Sequence, residues 1–550
     1  MTTLAQPSQS LSKKISTSLG ALRFSTLQIL GFLLVVAGAI LINYNYLNRL
    51  DIISDDDDLY FSFGMMLLKG KYRGADDGPL YYGFQLLLQL ITDDAIQTFY
   101  INYIVTTTIP IILFYLLLRA RNINVWLAVW LSLMFMFSSL NYPLTPKLTH
   151  YAIIFLLLGL LAFTYAEDLV RKFFYCSLFT LLAAYARPEL YIACFLLSVV
   201  TVFICFRAKK WGYIVAIVAI IVAAGYLLGT PIGARDRSFW TFKHHFSINY
   251  IEVHPGLNLS PWNHFNQITT SAFGHKLTSI KDAILSNPQM VFWHVKTNII
   301  RYAGLIPHYL KDIIFDSIQF PFRKYVLFAM GVAVLFRMNY RQSWMNIVSA
   351  FKRNALFLIV FLIILLPTFI SNFFIYPRPH YVLYHLFLYL YVLALLCNGI
   401  ELKKYPAGYA NWPKLALLCG NLIFIILLFI PKYKENIQSK PLPSKNFALM
   451  LQKCNIKGPV SALGGDAPFS YNRYVGLDWT FHYYDIIRPK NFAKCLADYK
   501  VNCVIINDKM NGYFLKDASY HNFLAHPESK GFLLIKETPS HKVFARKDLI

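Results

Sequence analysis

The sequence predicts an α-helical polytopic membrane protein with about eleven transmembrane helices and a small C-terminal extracytoplasmic α/β domain. Three observations lead there. Apolar residues make up 57% of the 550 residues and charged residues only 15%, against roughly 25% charged in an ordinary soluble domain. Apolar stretches long enough to cross a hydrocarbon core of about 30 Å recur along the first four-fifths of the chain. Beyond residue 431 the pattern changes to short apolar runs between polar turns.

The spans expected from length and composition are 26–47, 97–118, 123–140, 150–166, 173–187, 189–206, 211–229, 322–338, 354–376, 381–398 and 413–431. The first is too long for the apolar region of a cleaved signal and lacks a small-residue cleavage site, so it reads as a retained helix. The formal net charge of +24 could suggest nucleic acid, but the cations are placed topologically. Lys13, Lys14 and Arg23 precede the first span. Arg119 and Arg121, Arg171 and Lys172, Arg207 with Lys209 and Lys210, Arg337 through Arg353, and Lys403 with Lys404 occupy alternate short loops. That is the positive-inside pattern of a multi-pass plasma (inner) membrane protein with its N-terminus, residues 1–25, in the cytoplasm. Membrane lipids are therefore expected neighbours, and nucleic acid is not.

This topology divides the chain into a membrane domain, 26–431, with two long outer segments at 48–96 and 230–321, and an extracytoplasmic tail, 432–550. Pro441 and Pro443 mark the linker to the tail. Within the tail, 460–463, 503–506 and 532–535 read as strands, 447–452 and 492–499 as helices, and 536–543 as the turn of a terminal hairpin. Five of the eight cysteines fall in or near spans. Cys454, Cys495 and Cys503 lie in the tail with no metal-site spacing and leave room for one disulfide.

With nearly all the non-membrane mass outside, chemistry is expected at the outer face. The first outer segment contains the run Asp55-Asp56-Asp57-Asp58-Leu59-Tyr60, followed by Gly64, Gly70 and Tyr72, a second acidic pair Asp76-Asp77, and Gly78-Pro79-Leu80-Tyr81-Tyr82. Part of the acidic run suits a helix start, because Ser54 and Asp57 stand in capping-box spacing and acids favour the helix N-terminus. The rest suits a polar ligand, since carboxylates accept hydrogen bonds from hydroxyls and aromatic faces cover sugar rings.

Asp56, Asp57 and Tyr60, with Gly70, Tyr72 and Pro79-Leu80-Tyr81 behind them, resemble the first outer loop of GT-C glycosyltransferases that use polyprenyl-phosphate sugars, such as protein O-mannosyltransferases and bacterial aminoarabinose transferases. The family loop reads Asp-Glu-x-x-Tyr, and here Asp replaces Glu. Ala186-Arg187-Pro188-Glu189, Asn287-Pro288 with His294 and Asn298, and Tyr376-Pro377-Arg378-Pro379-His380-Tyr381 resemble further family stretches, although Pro379 and His380 separate Arg378 from Tyr381. The resemblance implies an inverting transfer of a sugar from a polyprenyl-phosphate carrier to a hydroxyl of a lipid, glycan or protein acceptor. Asp56 or Asp57 would be the general base. Tyr60, Asp76, Asp77, His244 and His380 would bind substrate, and Arg187 and Arg378 the phosphate, with Arg301 a third candidate. Each arginine has an ordinary alternative as an interfacial snorkelling residue.

The second outer segment carries His244, His245, His254, His264, His275 and His294, with Glu252 among them. Their spacings match no zinc pattern, and Trp240, Phe246, Trp262 and Trp293 point instead to amphipathic helices at the interface. No cofactor is expected, although the four aspartates could attract a divalent cation. The competing classes are a transporter or flippase of a lipid-linked sugar, which would favour ionisable or broken sites at mid-membrane, and an assembly partner, which leaves the acidic loop unexplained.

Overall fold

The computed structural model describes residues 26–52, 56–92, 94–142, 144–230, 237–316, 323–403, 412–464, 474–476, 478–483 and 491–550. The N-terminal tail, Ser54 and Asp55 lie outside the described residues.

The first helices are α1 (Thr26–Asn43), α2 (Asp56–Leu68), α3 (Pro79–Thr92), α4 (Ala95–Ala120), α5 (Val125–Phe137), α6 (Leu148–Tyr165), α7 (Leu169–Ala186), α8 (Tyr191–Arg207) and α9 (Trp211–Leu228). After them come α10 (Arg237–Val253), α11 (Phe265–Phe273), α12 (Ile280–Ser286), α13 (Pro288–Lys311), α14 (Arg323–Arg337), α15 (Tyr340–Phe374), α16 (Pro379–Asn398) and α17 (Trp412–Asn436). Many starts are set by a side-chain cap that satisfies an orphan backbone N–H. Asp94 accepts from Ile96 N at 2.8 Å, Asn124 from Trp126 N at 2.9 Å, Asp168 from Arg171 N at 2.9 Å and Ser279 from Asp282 N at 3.0 Å. Asn287-Pro288 is such a start as well: Asn287 accepts from Met290 N at 3.2 Å and Pro288 opens α13.

Among the described residues eight helices are long and apolar enough to cross a membrane. They coincide with eight of the eleven expected spans. The other three expectations fall on α5, α14 and α17. α5 has 13 residues and α14 has 15, short for a hydrocarbon core that takes about 20. The bundle core lies between α4, α5, α6, α15 and α16, where Phe114, Phe135 and Phe387 meet ring to ring at 5.2 and 4.9 Å.

The tail forms α18 (Pro443–Gln452), β1 (Val460–Gly464), β2 (Trp479–Tyr483), α19 (Phe492–Asp498), β3 (Cys503–Ile506), α20 (Asp508–Tyr513), α21 (Ala518–Ala525), β4 (Phe532–Glu537) and β5 (Lys542–Arg546). The sheet order is β2-β1-β3-β5-β4, with β1 parallel to β2 and β3, and β5 antiparallel to β3 and β4. Ala462 pairs with Cys503 and Ile505 with Val543. Every residue of β3 is buried, as a parallel strand covered on both faces requires. β2, α20 and α21 add to the elements expected. The expected turn at 536–543 includes the ends of β4 and β5 and narrows to the residues between them. Cys454, Cys495 and Cys503 are all free thiols, so the disulfide allowed by the sequence does not form.

Asp51 ties the tail to the bundle. Its carboxylate accepts from Ser444 N at 2.9 Å and Lys445 N at 2.8 Å, at the start of α18. Deeper in, Tyr474 is 2% exposed, and its ring contacts Phe61 of α2 at 5.7 Å and Phe99 of α4 at 5.8 Å.

Candidate functional site at one end of the bundle

The short basic connections and the long polar segments collect at opposite ends of the bundle. At one end Arg121 bonds Asn354 at 2.9 Å, Asn124 N bonds Asn398 at 2.8 Å and Lys403 N bonds the Arg337 carbonyl at 2.8 Å. At the other lie α2, α3, α10 to α13 and the described part of the tail. This segregation is the alternation read from the sequence.

α2 begins at Asp56, so Asp56 and Asp57 occupy its first turn; their side chains lie outside the described part. Tyr60, one turn further on, is buried with its ring 5.4 Å from that of Tyr81. α2 and α3 approach so closely that a Cβ on Gly64 would sit 2.7 Å from the Tyr82 carbonyl oxygen. Asp76 and Asp77 form a 3-10 turn, with Asp76 buried and Asp77 3.8 Å from Arg73. Gly78 follows with φ +74°, and a Cβ there would run into the Ala186 carbonyl oxygen. A glycine is therefore required, and the acidic turn is pressed against the end of α7, beside Arg187.

Arg187 ends α7 and is 5% exposed. Its Nε pairs with Glu189 at 3.0 Å and its guanidinium carbon stands 5.0 Å from the Tyr381 ring centre. Burial works against the charge, and the Glu189 carboxylate compensates it. Nη2 is buried without a hydrogen-bond partner. Arg378 immediately precedes α16 and lies over Trp262 at 5.0 Å. His380, in the first turn of α16, lies within the field of Arg187, Arg378 and His245. Tyr60, the 75–77 turn, Arg187, Arg378 and His380 are thus gathered at one place from three distant parts of the sequence.

Four residues of this end were not singled out by sequence reading. Lys147 is 0% exposed, donates to the carbonyls of Asn141 at 2.8 Å and Tyr142 at 3.3 Å, and stands 4.1 Å from the Tyr103 ring centre. Thr149 and His150 begin α6, and Tyr384 lies one turn beyond His380; all three are buried. The signal available was a Lys and a His at the outer edge of an apolar span, where ionisable residues are costly.

The histidines of the second outer segment divide. His244 packs on Phe265 with centroids 4.1 Å apart and beside Trp262. His245 shares the Trp262 ring, 6.0 Å away, and stacks on Tyr376 at 5.5 Å. Burial, aided by Arg378, pushes the His245 imidazole down to about 3. His294 accepts from Asn249 at 2.9 Å, and its other nitrogen lies 3.2 Å from the Phe374 carbonyl; burial brings it to about 4. Asn298 donates to the Phe373 carbonyl at 2.9 Å. Glu252 pairs with Arg301, which also bonds the Tyr376 hydroxyl. These groups staple α10 and α13 to the end of α15. Among the described residues no three His, Cys, Asp or Glu side chains stand close enough to hold a metal ion.

No family model matches the chain, and no curated protein matches it. A solved structure, ArnT from Cupriavidus metallidurans bound to undecaprenyl phosphate, is similar over 93% of this chain and 97% of that one, at 10% sequence identity and a TM-score of 0.37.

Proposed function

We propose that this chain is a membrane glycosyltransferase that moves a sugar from a polyprenyl-phosphate carrier to an acceptor hydroxyl at the outer face, with inversion. The observation that supports this most is the convergence of the acidic start of α2, marked by Tyr60, with Arg187, Arg378 and His380 at the bundle end that carries the long segments. Carboxylates and fixed cations close together are what such a transfer needs. Asp56 or Asp57 takes the hydroxyl proton as the acceptor oxygen attacks the anomeric carbon. The bond from that carbon to the phosphate oxygen breaks, and its electron pair stays on the phosphate. The phosphate thereby gains a negative charge, so the barrier falls if cations already face it. Arg187 has Nη2 to offer and Arg378 the planar fork that binds phosphate in two places. Tyr60 and the 75–77 turn border the space where the sugar would lie.

The test is transfer from a defined polyprenyl-phosphate sugar by wild type, Asp56→Asn and Asp57→Asn. Loss of a general base should cost one of them about 10²–10⁴-fold in rate. Full transfer by both variants rejects the assignment. Variants that lose only translocation of the lipid-linked sugar in vesicles point to the transporter class.

A further inference from the structure

The tail holds a cavity of its own, apart from the bundle end. It measures about 280 Å³ and lies at the carboxyl end of β3, lined from α20, α21 and the β4–β5 turn. Open α/β sheets lodge ligands at the carboxyl ends of their parallel strands. The volume is near the lower end for ligand sites and suits one small ring.

The walls are fixed before any ligand arrives. Thr538 N and the Thr538 hydroxyl both donate to the His541 carbonyl, at 2.9 and 3.1 Å, and His541 N donates to that hydroxyl at 2.9 Å. The His541 ring packs on Phe447 of α18 at 4.8 Å, and α18 starts on Asp51 of the membrane domain. In α20 the Tyr520 hydroxyl donates to Asn511 Oδ1 at 2.5 Å. That bond fixes which way round the amide stands: its oxygen is taken, and its two N–H groups are left to donate. Asp508, three residues earlier on the same helix face, is exposed and has no hydrogen bond or ion pair among the described residues.

This lining narrows the chemistry of the ligand. Lys542 is paired with Glu537 at 2.8 Å, so no uncommitted lysine lines the cavity to meet an anion. A single carboxylate is too few for calcium, which gathers several oxygen ligands, and Asp508 belongs to no metal-holding group. A carboxylate acceptor beside an amide donor matches neighbouring hydroxyls, each of which both donates and accepts. Leu524 and Pro539, both exposed, add apolar surface for the C–H face of a ring.

We propose that the tail binds a neutral sugar residue of a glycan in this cavity, through Asp508 and Asn511 and against Leu524 and Pro539. Binding itself is independent of the transferase reading. The role it gives the tail, holding a glycan acceptor for the bundle end to which α18 ties it, rests on that reading.

The test uses the full chain in a detergent without sugar headgroups. Saturation-transfer NMR is run with neutral hexoses, N-acetylhexosamines and their short oligomers, with glycerol, and affinity is also measured for inorganic phosphate and calcium. Wild type should bind at least one of the sugars and none of the other three. Asp508→Ala removes the acceptor, and Asn511→Asp removes the donor while keeping an oxygen for Tyr520. Each should weaken sugar binding about tenfold and leave the melting temperature unchanged. With that sugar in a glycan acceptor, both variants should raise the acceptor KM and leave kcat alone. No sugar bound by wild type, or equal affinity in both variants, overturns the pocket and leaves the transferase reading standing. Binding of phosphate or calcium in place of sugar overturns it as well. Sugar binding lost in the variants, from a wild type that transfers nothing, keeps the pocket and overturns its acceptor role.

Discussion

Arg187 shows how much of this site is decided by single side chains. A guanidinium at 5% exposure survives only because Glu189 is 3.0 Å away, and removing one member of a buried pair strands the other. Arg187→Ala is therefore expected to lower stability by about 3–5 kcal/mol, read from denaturation of the solubilised protein. Arg187→Met combined with Glu189→Leu should recover most of that loss while leaving transfer undetectable. Recovery of activity in the double variant would show that the pair is only structural. Arg187 and Arg378 are legible in the sequence because cations at those helix ends run against the topological charge rule. Thr149, His150 and Tyr384 are not. Nothing in an apolar span reveals which hydroxyl faces a neighbouring helix and which faces lipid, and only the meeting of α6, α7 and α16 shows it.

At the scale of elements, α10 and α13 are held by neutral imidazoles. His245 and His294 have folded-state values of about 3 and about 4, both below the ordinary 6.5. A histidine depressed in this way contributes stability that is fully present above its unfolded value. That contribution is lost as pH falls from about 6.5 towards the folded values. Hydrogen exchange in α10 and α13, corrected for its intrinsic pH dependence, should therefore rise between pH 6.5 and 4. The slope should flatten in His245→Gln with His294→Gln, and an unchanged slope would assign the acid sensitivity elsewhere. The positions of α10 to α13 follow from caps and amphipathic spacing that can be read directly, as with Ser279 and Asn287. Short elements were harder. β2, with the sequence Trp-Thr-Phe-His-Tyr, shows no apolar run because it is an edge strand, and α5 gains apparent length from Ile123 and Leu140 beyond its ends.

Across the whole molecule, the tail and the bundle share one packed joint. Tyr474 lies between Phe61 and Phe99, and Gln452 of α18 bonds its carbonyl at 2.8 Å. Tyr474→Ala should cost about 3–5 kcal/mol as a buried aromatic truncation. It should also reduce transfer, because α2 carries the acidic turn on the same helix as Phe61. Equal activity per folded molecule in the variant would mean that the joint serves stability alone. The division into membrane domain and tail is plain from composition, but the joint is not, since Tyr474 sits in a polar stretch more than 350 residues from its partners.

The joint also limits what can be exchanged between proteins built on this plan. Because Tyr474 wedges into the helix that begins with Asp56, the tail and the first outer loop form a unit of inheritance. A chimera that imports one without the other receives a lever with no fulcrum. Exchanging residues 48–96 together with 432–550 should give working hybrids more often than exchanging the tail alone.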